Sequence, residues 1–298
     1  MSDVTITSGS LVARATTRGA QLTSIVLDGR EYLWQGDPRW WKGQAPILFP
    51  IVGTLRDGRA ESAAGEIRLG RHGLARDFEH RIVDATESSV TFELLSSPET
   101  RERFPFDFAL RMTYAVEGTT LSQTFEVENT GAVELPFVVG GHPAFNVPVG
   151  CDVDAPEADE RYDEYVVRFA DAWSWSCPDM DASTGLIDWS RTRPVVTDSD
   201  QLSISHELFA LDALVFEDVP GRTVTLAGPA GHGVRVDFPG FDYLGIWSAA
   251  GNPPFVAIEP WRGIATCSDE SDVFEEKRGM DLLSPGEVAR YTFTITPF

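Results

Sequence analysis

Lysine is almost absent from this chain. Lys42 and Lys277 are the only two, and every other basic residue is arginine. Positive charge of any kind is scarce: 24 Lys and Arg stand against 46 Asp and Glu, a formal net charge of −22. Such a surface repels phosphate backbones and anionic bilayers, which excludes nucleic acid and membrane as partners. Cysteine is nearly missing as well. Cys151, Cys177 and Cys267 are an odd number without Cys-x-x-Cys spacing. That fits neither a disulfide framework nor a zinc site and points to a reducing compartment. No run approaches the roughly 20 apolar residues of a membrane helix. Residues 1–10 have neither the basic start nor the apolar core of a signal peptide. The expectation is a cytoplasmic protein, monomeric or weakly dimeric.

What the chain does have is β pattern. Hydrophobic residues make up 42% of 298, enough for a sizeable core. Short β-rich runs recur between turn signals: Val4–Thr7, Leu11–Thr17 and Leu22–Leu27, then Asp28-Gly29 and a return over Glu31–Trp34. His80–Ala85 with Ser89–Leu95, and Phe108–Val116 with Thr120–Val127, predict two more strand pairs. Pro98–Phe104 is the best candidate for a short helix. From Cys151 to Asp200 the pattern loosens, and an excursion over a sheet edge is expected there, with a strand only at Tyr165–Phe169. Leu208–Val215, Thr223–Leu226, Gly233–Phe238, Tyr243–Trp247, Phe255–Ile258 and Tyr291–Thr296 complete the strands. No amphipathic run is long enough for a βαβ crossover. The prediction is an all-β chain: one large antiparallel twisted β-sandwich, a single domain over residues 1–298.

Two stretches carry chemistry. Val138–Val147 reads Val-Val-Gly-Gly-His-Pro-Ala-Phe-Asn-Val. Its glycines let the backbone turn sharply, and Pro143 pushes His142 out of helical geometry. Phe255–Gly263 reads Phe-Val-Ala-Ile-Glu-Pro-Trp-Arg-Gly. Here an apolar strand delivers Glu259 at its end, before Pro260 and beside Trp261. One histidine and one carboxylate, each stiffened by a proline, suggest an acid–base pair. His72 sits between Arg71 and Gly73, with Arg76 nearby. Flanking arginines favour a neutral imidazole there. Asp212, isolated in an apolar run, is either a local cap or a ligand-binding group. Trp34, Trp40 and Trp41 read mainly as packing residues.

Gly-Gly-His-Pro-Ala-Phe at 140–145, His-Gly-Leu-Ala-Arg at 72–76 and Ile-Glu-Pro-Trp at 258–261 resemble the aldose 1-epimerase (galactose mutarotase-like) superfamily, in its LacX-like bacterial branch. The resemblance runs from Gly19-Ala20-Gln21-Leu22 to Ser284-Pro285-Gly286-Glu287. It implies a large twisted β-sandwich and the interconversion of α and β anomers of a hexose, without metal or organic cofactor. A base takes the C1 hydroxyl proton and an acid protonates the ring oxygen, each worth about 10²–10⁴-fold. By motif match Glu259 is the base and His142 the acid, held protonated by the nearby carboxylate. The resemblance implies that His72 orients the ring-oxygen side or a neighbouring hydroxyl. Arg56 and Asp212 bind substrate, as does Trp261 by its closeness to Glu259.

Arg71 and Arg76 raise a phosphorylated hexose as an alternative, since the guanidinium fork suits phosphate. Arg71 is expected to pair with a surface carboxylate instead. Readings from other classes are a glycoside hydrolase, which would need Asp212 as a second carboxylate, and a sugar-binding protein without catalysis.

Overall fold

The computed structural model describes residues 2–150, 160–181 and 183–298. Alternation sets its strands. Along Thr120–Asn129 every second side chain is buried, as a strand with one face on a core requires. It pairs antiparallel with Phe108–Glu117 over its full length. These two lie within a nine-stranded sheet. Its order is Ile187–Ser203, Val166–Met180, Thr223–Ala227, Gly233–Asp237, Val288–Pro297, Thr120–Asn129, Phe108–Glu117, Ser89–Leu95 and Arg81–Ala85.

A second sheet has Phe255–Trp261 at its centre. Tyr243–Trp247 and then Leu214–Glu217 lie on one side, and Gly140–Gly141, Ala144–Asn146 and Ile47–Leu48 on the other. Residues 3–31 form a four-stranded sheet. One core joins all three: Phe125 and Phe293 from the first, Phe145 and Ile258 from the second, and Leu22 and Ile25 from the third are fully buried. The fold is an antiparallel β-sandwich. The short helix forms at Pro98–Arg101, capped by Ser97 in a reciprocal capping box with Thr100. Among the described residues, no helix is long and apolar enough to cross a membrane. Cys177 and Cys267 are buried free thiols; Cys151 lies outside the described residues.

Three expectations are corrected. The stretch read as a loose excursion contains the two longest strands, Val166–Met180 and Ile187–Ser203, paired as a hairpin. Several register shifts interrupt that pairing, and most of Asp171–Ser176 is exposed or half-buried. A strand of this kind shows little apolar alternation. Leu208–Val215 is not one strand: a 3-10 turn covers His206–Phe209, and the strand begins at Leu214. Between them Asp212 holds φ +74°, outside any strand geometry.

The third correction concerns Glu259, which lies inside its strand rather than at the end. Pro260 does not stop the strand, because its missing donor falls opposite a break. Ile258 N–H donates to Pro143 O and Arg262 N–H to Val139 O. Pro260 lies midway between those two donors, facing the gap between Gly140–Gly141 and Ala144–Asn146. That gap is where His142 and Pro143 interrupt the pairing. The two proline-bearing motifs are therefore matched across one sheet.

Candidate active site

That match puts His142 and Glu259 face to face. His142 Nε2 is 3.3 Å from Glu259 Oε1, and both side chains are buried. They line one cavity, which encloses about 170 Å³ and is bordered also by Trp41, Arg71, His72, Arg76, Asp212, Trp247 and Trp261. Trp261 is two residues from Glu259, so both side chains stand on the same face of the strand. Its indole Nε1 donates to Glu259 Oε2 at 3.2 Å. The ring lies over Gly245, where a Cβ would come within 2.3 Å of it; only glycine leaves room. Trp261 is buried, and its polar contact is with the carboxylate.

His142 is held by rings. Trp41 stacks on it with centroids 4.9 Å apart, while Trp247 and His72 meet it edge-on, each at 5.5 Å. Its buried Nδ1 has no hydrogen-bond partner among the described residues. His72 is held by backbone. Its Nδ1 accepts from Gly53 N–H at 3.1 Å, and its own N–H donates to Gly53 O. A backbone N–H can only donate, so neutral His72 carries its proton on Nε2. His72 holds φ +67°, Gly73 follows at φ +78°, and a Cβ on Gly73 would sit 2.2 Å from Phe49 O. Positive φ at His72 and Asp212 costs on the order of 1–3 kcal/mol each, the kind of strain that collects at functional sites.

Burial dominates the electrostatics. It pushes His142 down to about 3 and holds His72 well below the ordinary imidazole value, with Arg71 and Arg76 adding to both. Burial also raises Glu259 well above the usual carboxylate range. The Asp212 charge adds to that rise, while the Trp261 hydrogen bond and Arg71 oppose it. The sequence reading expects the carboxylate to keep His142 protonated. Desolvation of two buried charges opposes that form and favours the proton on Glu259 over His142.

Of the sequence candidates, His142, Glu259, His72, Asp212, Arg76 and Trp261 come together. Arg56 does not line this cavity. Its guanidinium bonds Asp272 Oδ1 at 2.9 Å and the carbonyls of Glu270, Ser268 and Cys267 at 2.9, 3.3 and 3.3 Å. It staples a neighbouring loop. Arg71, read as a surface ion pair, lines the cavity and bonds Asp212 Oδ2 at 3.2 Å. Asp212 Oδ1 also accepts from Ala213 N–H. Trp41 and Trp247 are also missed; their contacts with His142 join residues far apart in sequence, and no local pattern signals them. Among the described residues, no group of three or more His, Cys, Asp or Glu is placed to hold a metal ion.

Comparison with known proteins shows the family and the fold. The Aldose 1-epimerase family matches residues 2–271. Protein LacX of Lactococcus lactis subsp. lactis is 36% identical over 296 residues, covering 96% of each chain. The structure of a galactose mutarotase related enzyme from Lactobacillus acidophilus superposes with a TM-score of 0.91 at 30% identity, over 100% of this chain and 97% of that one. A galactose mutarotase-like protein from Lactobacillus casei gives 0.88 at 28% identity, with both chains fully covered.

Proposed function

The chain belongs to the aldose 1-epimerase family, and from that premise we propose that it is an isomerase that interconverts the α and β anomers of a hexose. The observation that carries the proposal is the 3.3 Å contact between His142 Nε2 and Glu259 Oε1 inside the cavity. A site that only binds sugar has no need of a buried proton-sharing pair.

The reaction moves one proton out and one in. Glu259 takes the proton of the C1 hydroxyl while His142 delivers one to the ring oxygen, and the C1–O5 bond breaks to the open-chain aldehyde. Rotation about C1–C2 turns the carbonyl over. The ring oxygen then returns its proton to His142, and protonated Glu259 returns the other to O1 as the ring closes. The pair carries one proton throughout. Burial favours Glu259 over His142 as its holder. A sugar hydroxyl donating to Glu259 replaces its lost solvation and lets the proton cross to His142. His72 offers its Nε2–H to the ring-side oxygen. Arg71 and Asp212, locked to each other, present a donor and an acceptor to the hydroxyls.

Saturation-transfer NMR of anomer exchange on glucose and galactose tests this. Wild type should accelerate exchange and Glu259→Gln should not. Cleavage of an aryl glycoside with no effect on anomer exchange would replace the epimerase with a hydrolase.

A further inference from the structure

The Trp261 indole spends its one donor on the carboxylate that does the chemistry. Nε1 donates to Glu259 Oε2 at 3.2 Å, while Glu259 Oε1 faces His142 Nε2 at 3.3 Å. Each carboxylate oxygen therefore has its own partner. The sheet leaves a slot for the ring. Gly140 lies opposite Trp261 on one flanking strand, and Gly245 lies opposite Glu259 on the other. A Cβ on Gly140 would stand 2.8 Å from Trp261 Cδ1, and one on Gly245 would stand 2.3 Å from its Cζ2. With glycine at both places the indole fits between them, and its N–H reaches back along its own strand to Glu259. Core packing by itself does not supply such a bond: the buried Nε1 of Trp173 has no partner among the described residues.

The bond also decides which oxygen holds a proton. An indole N–H only donates. In a neutral carboxyl the carbonyl oxygen is the better acceptor, so the bond to Oε2 leaves the proton to Oε1, the oxygen that faces His142. In the ionised form the same bond stabilises the charge and opposes the upward push of burial. This inference rests on the epimerase reading of the same pocket. We propose that Trp261 is a positioning residue for the proton transfer and not a sugar platform: it fixes the Glu259 carboxylate so that Oε1 alone receives and returns the C1 proton, within reach of His142. The other titratable or charged groups that bear on Glu259 are His142, Asp212 and Arg71, with His72 and Arg76 in the same cavity.

The test removes the N–H and keeps the ring. Benzothienylalanine, introduced at an amber codon in place of Trp261, exchanges the indole N–H for sulfur with little change of shape. Trp261→Phe is the coarser variant. In anomer-exchange NMR on glucose and galactose, both should lose about 10- to 100-fold in kcat, the size of a hydrogen bond to a charged group. KM should stay near wild type. The alkaline limb of kcat/KM, where the pair loses its proton, should move up by about one unit, because the carboxylate has lost a donor. Gly245→Ala crowds the indole from a position that does not line the cavity, and it should move the limb the same way. In parallel, the indole N–H resonance of Trp261, identified by its loss in Trp261→Phe, should follow the titration of Glu259 in wild type and stand still in Glu259→Gln. A raised KM with kcat and limb unmoved would make Trp261 a sugar platform and sink the proposal. A lower kcat with an unmoved limb would reduce the ring to packing. An indole resonance that behaves alike in wild type and Glu259→Gln would remove the bond itself. If the indole follows Glu259 yet wild type accelerates no aldose, the lock on the carboxylate stands and the epimerase reading falls.

Discussion

Two clusters of charged side chains in this molecule are held in opposite ways. On the outer face of the nine-stranded sheet, Arg81, Glu93, Arg111, Glu126 and Arg290 lie directly opposite one another on five successive strands. The signs alternate along the row. Arg111 bonds Glu93, Glu126 and Glu128 at 2.9, 2.9 and 3.0 Å. Glu93 and Glu126 are pulled below the ordinary carboxylate range, Glu93 chiefly by its bonds to Arg81 and Arg111, against its burial. In the pocket the same residue types meet with too few partners, and burial drives Glu259 and His142 toward neutrality. Pairing fixes charge in the row; desolvation makes charge transferable in the pocket. The first arrangement supports a sheet and the second supports proton transfer.

Substitution should separate the two. Glu259→Gln removes the base without changing shape, and anomer exchange should fall by about 10²–10⁴-fold. At neutral pH the variant should unfold no more easily than wild type, because burying Gln needs no proton uptake whereas burying Glu259 with its raised pKa does. Arg111→Leu should do the reverse. It leaves buried Glu93 with one partner fewer, at a cost of about 1–3 kcal/mol in urea unfolding, with exchange unchanged. If Arg111→Leu slows exchange, or Glu259→Gln leaves it near wild type, the division fails.

A smaller change probes how the pocket holds its histidine. Trp41→Leu keeps apolar bulk but removes the stacked ring. Aromatic stacking is worth about 0.5–1.5 kcal/mol beyond area, so the exchange rate should drop about tenfold. The imidazole should also titrate about one unit higher as water reaches it. Histidine NMR titration reads that shift. A slower enzyme with an unmoved titration would make Trp41 a sugar platform instead.

The regular parts of this fold were legible because alternation is a direct imprint of a half-buried strand, as in Thr120–Asn129. His142 and Glu259 were legible because proline and glycine beside a titratable residue mark a fixed backbone. What escaped was direction and distance. Arg56 and Arg71 both sit by turns among polar neighbours, and nothing local says which one points inward. The long hairpin escaped because its outer residues are exposed on both faces and obey no period. The protonation state of His142 escaped because it depends on how deeply the pair is buried, a property of the assembled sheets.

The smallest expected effect is a flat line, and its sign follows from counting protons. His142 has a folded value depressed to about 3, so alone it would contribute stability that is present above pH ~6.5 and lost as pH falls. Glu259 is raised well above 4.5; alone it would contribute stability that is present below pH 4.5 and lost as pH rises. Between about 4.5 and 6.5 the two slopes oppose each other, because the unfolded chain keeps its proton on histidine while burial in the folded pair favours the proton on glutamate. Wild type and the double variant His142→Asn/Glu259→Gln should therefore run closer to parallel across that window than either single variant does with wild type. Each single variant should depart from them by up to about 1.4 kcal/mol per pH unit. Glu259→Gln should weaken toward acid, and His142→Asn should weaken toward alkali. The paired carboxylates of the outer row begin to lose stability only below 4.5, so they add no slope there. A His142 held down near 3 should give kcat/KM no inflection of its own near pH 6.5. An inflection there that vanished in His142→Asn would mean that the pair keeps its proton on the histidine, as the row keeps its charges, and the contrast between the two clusters would be gone.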